Sequence, residues 1–252
     1  MAKNPISLQM YTVRDDAARD PIATIEAVAA AGYRAMELAG TMGLSAAELR
    51  RRLDALGVVV SGAHVAIDRL EGQIESVIDE MRTLGGKYVI CPFLPPQRRG
   101  DIAAYRALVP TLNAIGGRCH EAGLTFVYHN HDFELHQAGG TTGLHTFLRE
   151  TDPALVQFEL DVYWAVYAGF DPGALLAEFA GRVPLVHLKN MTPEPNRTFA
   201  EVGHGTLDIP AICAAADAAG AEWFIVEQDR CERPALESVA MSINYLKSIG
   251  RA

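Results

Sequence analysis

Short apolar runs alternate with amphipathic segments along the whole 252-residue chain, and this rhythm constrains the fold more than any other feature. Residues 6–10, 35–39, 58–63, 88–91, 124–127, 156–162, 183–188 and 223–227 each read as a buried strand, too short and too uniformly apolar for a surface helix. Helical patterns lie between them. Pro21 follows Asp20 as a first-turn proline behind its N-cap, opening a helix over 21–31. Ser45 with Glu48 three residues on is a capping box. Leu70, Ile74, Val77, Ile78, Met81 and Leu84 trace one helical face. Further helices are expected over 142–150, 172–180, 209–219 and 235–249. The long pattern over 102–122 carries Pro110 and Gly116-Gly117, which predict a kink or a break.

Gly32, Gly57, Gly85, Gly123, Gly181 and Gly220 sit at helix-to-strand junctions, where a helix commonly ends in a left-handed residue. Eight strand–helix repeats without a linker predict one parallel, closed sheet, a (β/α)8 barrel forming a single domain over residues 1–252. The competing arrangement, an open doubly wound sheet, usually carries a phosphate-binding glycine loop after its first strand. Here that turn reads Tyr11-Thr12-Val13-Arg14. The barrel is therefore favoured.

In such a barrel the chemistry lies at the C-terminal strand ends. The fifth strand runs into Tyr128-His-Asn-His-Asp-Phe-Glu-Leu135, and alternation puts His129 and His131 on one face with Glu134 just beyond. Other strand ends supply Gln9, Glu37, His64, the pair Glu159 and Asp161, the pair His187 and Lys189, and the pair Glu227 and Asp229. Trp164 follows the sixth strand and is expected to wall the pocket. Duller accounts exist for single members: Glu37 paired with an arginine, Glu159 bonded to Lys189, His64 as a satisfied structural histidine. Asp161, His187 and Glu227 are harder to dismiss, because three successive strands each supply an oxygen or nitrogen ligand suited to a divalent metal.

Composition removes other functions. A formal net charge of −9 disfavours nucleic acid and anionic membranes, which call for clustered Lys and Arg. The two basic clusters, Arg50-Arg51-Arg52 and Arg98-Arg99, read as solvated faces. The four cysteines show no CxxC spacing and read as reduced thiols of a cytoplasmic protein. No stretch has the ~18 apolar residues of a membrane span or a secretory leader.

Five segments in order, YHNHDFEL (128–135), ELDVYWA (159–165), VHLKN (186–190), VGHGTLD (202–208) and IVEQD (225–229), with the opening LQMYTVRD (8–15), resemble the sugar isomerase/epimerase superfamily with the xylose isomerase-like barrel. The resemblance spans essentially the whole chain. It implies one divalent metal, often Mn2+ with Mg2+, Co2+ or Zn2+ as alternatives, held by Glu134, Asp161, His187 and Glu227, with His129 in reserve for Glu134. Because His131 shares a face with His129 and Lys189 with His187, one of the two is expected to act as acid or base while the other orients substrate oxygens, with Glu134 and Glu227 as further acid–base groups. Gln9, Glu37, His64, His129, Glu159 and Trp164 are the expected contacts to a sugar. Two departures bear on the reaction. Relatives that epimerise place Glu where this chain has His129, and His where it has Trp164. The expected activity is isomerisation or epimerisation of a keto-sugar or polyol through an enediolate, with a keto-sugar dehydratase or lyase, near inosose dehydratase and enzymes acting on 3-keto-glycosides, as the alternative. A small sugar is the expected partner, and homo-oligomerisation is left open.

Overall fold

A computed structural model describes residues 4–252. Eight parallel strands close into a barrel: β1 (Ile6–Gln9), β2 (Ala35–Leu38), β3 (Val59–His64), β4 (Tyr88–Cys91), β5 (Thr125–His129), β6 (Val156–Asp161), β7 (Leu185–Leu188) and β8 (Trp223–Val226). Each pairs with its sequence neighbours, and β1 closes the ring on β8. Eight main helices follow them: α1 (Pro21–Ala31), α2 (Ala46–Ala55), α3 (Ile74–Leu84), α4 (Ile102–Glu121), α5 (Gly143–Glu150), α6 (Pro172–Glu178), α7 (Ile209–Ala219) and α8 (Ala235–Ser248). Beyond β7, Asn190–Met191 and Phe199–Ala200 form a small antiparallel ladder within the long loop.

Local signals act largely as the sequence indicates. The Asp20 carboxylate accepts from the Ala23 N–H at 3.0 Å, and α1 ends on Gly32 at φ 119°, open to glycine without a Cβ clash. Ser45 Oγ caps α2 by accepting from the Glu48 N–H at 3.2 Å. The Glu48 side chain turns instead to Arg52, at 2.7 Å.

The expected break at 102–122 does not occur, because α4 runs unbroken with Pro110 inside it. Pro110 forfeits one backbone bond, yet the helix is held by packing along its length. Gly116 has a different role from a breaker. A Cβ there would lie 2.3 Å from the Leu155 carbonyl oxygen, so glycine is what lets α4 approach the chain entering β6.

Two apolar shells hold the molecule. The larger lies between strands and helices. The smaller fills the barrel's lower interior with Tyr88, Ile90, Val127, Leu185 and Ile225, all essentially inaccessible. Directly above this plug the inward side chains become polar. Strand register aligns them: Gln9 opposite Glu37, His129 opposite Glu159, and Asp161 opposite His187. The β2–β3 register shifts by one residue, from Met36 opposite Val60 to Glu37 opposite Gly62. That bulge inverts the alternation, so His64 reaches the interior although Val60 packs outward.

Candidate active site

The polar layer is a connected network. Glu37 Oε1 lies 2.8 Å from His187 Nε2 and 3.0 Å from His64 Nε2. Glu159 Oε2 lies 3.1 Å from each of the same two nitrogens and 2.8 Å from His129 Nδ1. Gln9 donates from Nε2 to Glu37 Oε1 at 2.8 Å and so fixes that carboxylate from below. On its other side His187 places Nδ1 2.9 Å from Glu227 Oε2. Every one of these groups except His64 is buried.

A second group stands beside it. Lys189 Nζ lies 2.8 Å from Asp161 Oδ2, 2.7 Å from Glu227 Oε2 and 2.6 Å from Asp229 Oδ1. Lys189, His64, His129, His131, Glu227 and Asp229 face a cavity of about 460 Å3 at the barrel mouth. Tyr11 and Phe93, each more than a third exposed, form an aromatic rim to the same cavity. Asp229 follows Glu227 at strand spacing, a signal that carried its location without its ion pair. Phe93 gave no chemical signal, being a single aromatic outside any polar pattern, whereas Tyr11 stands at the end of the first strand within the LQMYTVRD segment.

The residues expected to serve together are partly separated. Glu134 does not join the ligand network. Its Oε1 accepts from the Tyr128 hydroxyl at 2.5 Å and its Oε2 from the His131 backbone N–H at 2.7 Å. The cause is strand alternation: Tyr128 faces the helices, where it packs on Phe147, and it draws Glu134 to that side. His129, expected as a reserve ligand and a sugar contact, enters the network instead. His131 does reach the cavity, with its ring stacked on Phe133 and meeting Phe93 edge-on. Trp164 lies 5.5 Å from the His131 ring and behind Lys189, lining a neighbouring cavity with Tyr163, Tyr167 and Phe199.

Electrostatics follow from burial of so many charges. Burial opposes the imidazolium of His64, but Glu37 and Glu159 outweigh it and push that group up to about 9. His187 is raised well above its ordinary value against the same burial by Glu159 and Glu37. Burial and then the nearby charges of His187, His131 and His64 hold His129 well below its ordinary value. Burial and the Lys189 charge lower His131 to about 3. Burial disfavours the Lys189 ammonium too, yet Asp161, Glu227 and Asp229 keep it raised. Burial raises Glu134 to about 7 despite its hydrogen bonds.

Four buried carboxylates, Glu37, Glu159, Asp161 and Glu227, thus share this layer with one buried lysine, and the imidazoles of His64 and His187 supply further positive charge. Glu37 Oε2 and Glu159 Oε1 are buried with no protein partner. Such a donor set, with orphaned carboxylate oxygens and convergent imidazoles, fits a divalent cation. Two sets of ligand atoms converge, His64, His129, Glu159 and His187 on one side and Asp161, His187 and Glu227 on the other.

A closed eight-stranded parallel barrel with a charged C-terminal mouth defines the class of (β/α)8 enzymes. The chain belongs to the family described as xylose isomerase-like TIM barrel, which matches residues 25–249. An inosose dehydratase of Geobacillus kaustophilus strain HTA426 is 26% identical over 182 residues, covering 64% of this chain and 58% of that relative. An inosose dehydratase of Clostridium perfringens strain ATCC 13124 is 26% identical over 219 residues, covering 79% of this chain and 68% of the relative. Among solved structures, a sugar phosphate isomerase/epimerase from Parabacteroides distasonis ATCC 8503 superposes with a TM-score of 0.87 at 24% identity, covering 100% of this chain and 96% of that one. A 3-keto-D-glucoside 4-epimerase from E. coli gives 0.72 at 19%, covering 98% and 100%. These structures share the fold. All four cysteines are free, and no helix among the described residues is long and apolar enough to cross a membrane.

Proposed function

We propose that this protein is a divalent-metal-dependent lyase that eliminates water or an alcohol from a keto-sugar or cyclic keto-polyol. One observation carries the reading: the strand-five carboxylate needed for a two-base epimerisation, Glu134, is turned away into Tyr128, leaving an imidazole, His131, and an ammonium, Lys189, facing one cavity. This reverses the order of preference drawn from the family resemblance, in which isomerisation came first. The names of the curated relatives, inosose dehydratases, point the same way.

A bound divalent cation would be held through His187, by one of its two carboxylate-bearing sides, and would polarise the substrate carbonyl as a Lewis acid. The chain's own groups do the rest. His131 removes the proton from the carbon next to the carbonyl. Lys189, set among three carboxylates, donates a proton to the oxygen leaving the next carbon, while a C=C bond forms between the two. The rings of Tyr11 and Phe93 offer an apolar rim against which the apolar face of a sugar would pack.

Incubation with an inosose and with a 3-keto-glucoside, followed by ultraviolet absorbance and product analysis, tests the proposal. An unsaturated ketone with released water or aglycone is expected. A stereoisomer or an aldose–ketose product, with no unsaturated ketone, would instead establish the epimerase or isomerase reading.

A further inference from the structure

Lys189, the group that protonates the leaving oxygen, has two aromatic rings behind it. Its Nζ lies 5.9 Å from the centre of the Trp164 ring and 6.0 Å from that of Phe199. Both rings line a second cavity, also of about 460 Å3, together with Tyr163, Tyr167, Arg197 and Arg230. The two cavities share a wall. Trp164 stands 5.5 Å, ring to ring, from His131 of the first cavity, and Asp229 of the first is followed in the chain by Arg230 of the second.

Specific bonds fix the shape of this second space. The Tyr163 hydroxyl donates to the Arg197 carbonyl at 2.7 Å, and Arg197 Nη2 donates to the Val166 and Tyr167 carbonyls at 2.8 and 3.2 Å. These bonds tie the long loop after β7 to the short helix Val162–Tyr167. They hold Arg197 at φ 46°, a left-handed conformation that a residue with a Cβ adopts only at a cost. The wall is aromatic, with Tyr163 stacked on Phe199 at 4.3 Å and Tyr167 42% exposed. Asn196, Arg230 and Glu232, all exposed, add donors and acceptors at the edge. A departing water needs none of this. An apolar wall with a polar edge suits a sugar ring, whose C–H face packs on aromatic rings while its hydroxyls meet the edge groups. An aryl group would use the wall and leave the charged edge idle.

We propose that this second cavity is the subsite for the leaving group, a second sugar ring, so that the substrate is a keto-disaccharide and not a free cyclic keto-polyol. The proton on the carbon beside the carbonyl passes to His131. The bond from the next carbon to the glycosidic oxygen breaks as the C=C bond forms, and Lys189 gives that oxygen a proton, releasing the second sugar with a free hydroxyl. The role of Lys189 here rests on the elimination reading above, whereas occupancy of the subsite is read by binding alone.

The test compares three 3-keto-glucosides on the metal-loaded protein: the methyl glycoside, the phenyl glycoside and the glucosyl disaccharide, in both anomeric forms. Binding is followed before turnover by rapid-mixing tryptophan fluorescence, and products by mass spectrometry. Trp223, the other tryptophan, packs on the lower plug, so a signal lost in Trp164→Phe reports the shared wall. Wild-type protein should bind the disaccharide at least ~10-fold more tightly than the methyl glycoside. Tyr167→Ala and Arg230→Ala should each weaken the disaccharide about 10-fold and leave the methyl glycoside within about twofold. Circular dichroism verifies folding, and Arg230→Ala, at an exposed position, decides the matter should Tyr167→Ala fail to fold. No gain from the second ring in the wild type, or equal weakening of both ligands in the variants, would overturn the subsite. A phenyl glycoside bound as tightly as the disaccharide, and untouched by Arg230→Ala, would overturn the sugar assignment. An unsaturated ketone formed without a second-ring gain refutes the subsite and leaves elimination standing, whereas a stereoisomer formed with the expected binding pattern refutes elimination alone.

Discussion

Leu185 and His187 are two residues apart on one strand, both inward-facing and both inaccessible to solvent, yet they belong to different regions of the barrel. Leu185 sits in the lower plug with Tyr88, Ile90, Val127 and Ile225. His187 sits in the polar layer above, bonded to carboxylates from β2, β6 and the end of β8. The lower layer gains free energy by removing apolar surface from water, about 25 cal/mol per Å2. The upper layer gains none in that way, and its charges cost desolvation that only mutual pairing, or a bound cation, offsets. Stability and chemistry are therefore stacked along the same strands, one side-chain layer apart.

The comparison breaks most sharply at His187. His187→Ala should remove the shared metal ligand and lower kcat/KM on the order of 10⁴-fold, with the fold retained. A variant that keeps activity within tenfold would show that the upper layer is structural. His131→Ala should lower turnover ~10²–10³-fold while bound metal stays near the wild-type level, the loss being that of a proton-transfer group. Equal loss of metal and turnover would place His131 among the ligands. Leu185→Ala is the converse substitution. It should cost ~2–5 kcal/mol in urea unfolding and leave kcat within a few-fold at a temperature where the chain is folded. A collapse of kcat in the folded variant would mean that the two layers are coupled.

The smallest effect lies at the boundary, where Glu134 is buried away from the cavity. Its folded-state value of about 7 exceeds the ordinary 4.5, so the folded chain keeps a proton that the unfolded chain has released between those pH values. Stability accordingly falls as pH rises through that window and levels off above it. Glu134→Gln should abolish this part of the slope. Urea midpoints at pH 5 and pH 8 should differ more for wild type than for the variant. Parallel behaviour would mean that Glu134 ionises without consequence for folding.

The strand–helix rhythm, the capping residues and the Gly32 terminus were legible because each depends on neighbours within a few positions, where backbone sterics and short-range hydrogen bonds act. The strand-end positions of His129, His187 and Glu159 were legible for the same reason, since alternation follows directly from the extended backbone. Pro110 and Gly116 misled because a local breaker was outweighed by contacts from α4 to a chain some forty residues away, with the Leu155 carbonyl occupying the space a Cβ would need.

The sequence by itself determined that a parallel barrel forms and that imidazoles and carboxylates collect at one end of it, because periodicity and residue type are properties of the chain. Only the tertiary structure decided which of them meet. Glu37 and His64 lie 27 positions apart and more than ninety from Glu159, and a one-residue bulge in β3 turns His64 inward. Glu134, close in sequence to His131, is carried to the far side of the strand by its bond to Tyr128. Lys189 fills the space between Asp161 and Glu227 because barrel closure brings β6, β7 and β8 together there. Residue type sets what a side chain can do, but the sharing of one buried space by groups from distant strands depends on register and closure.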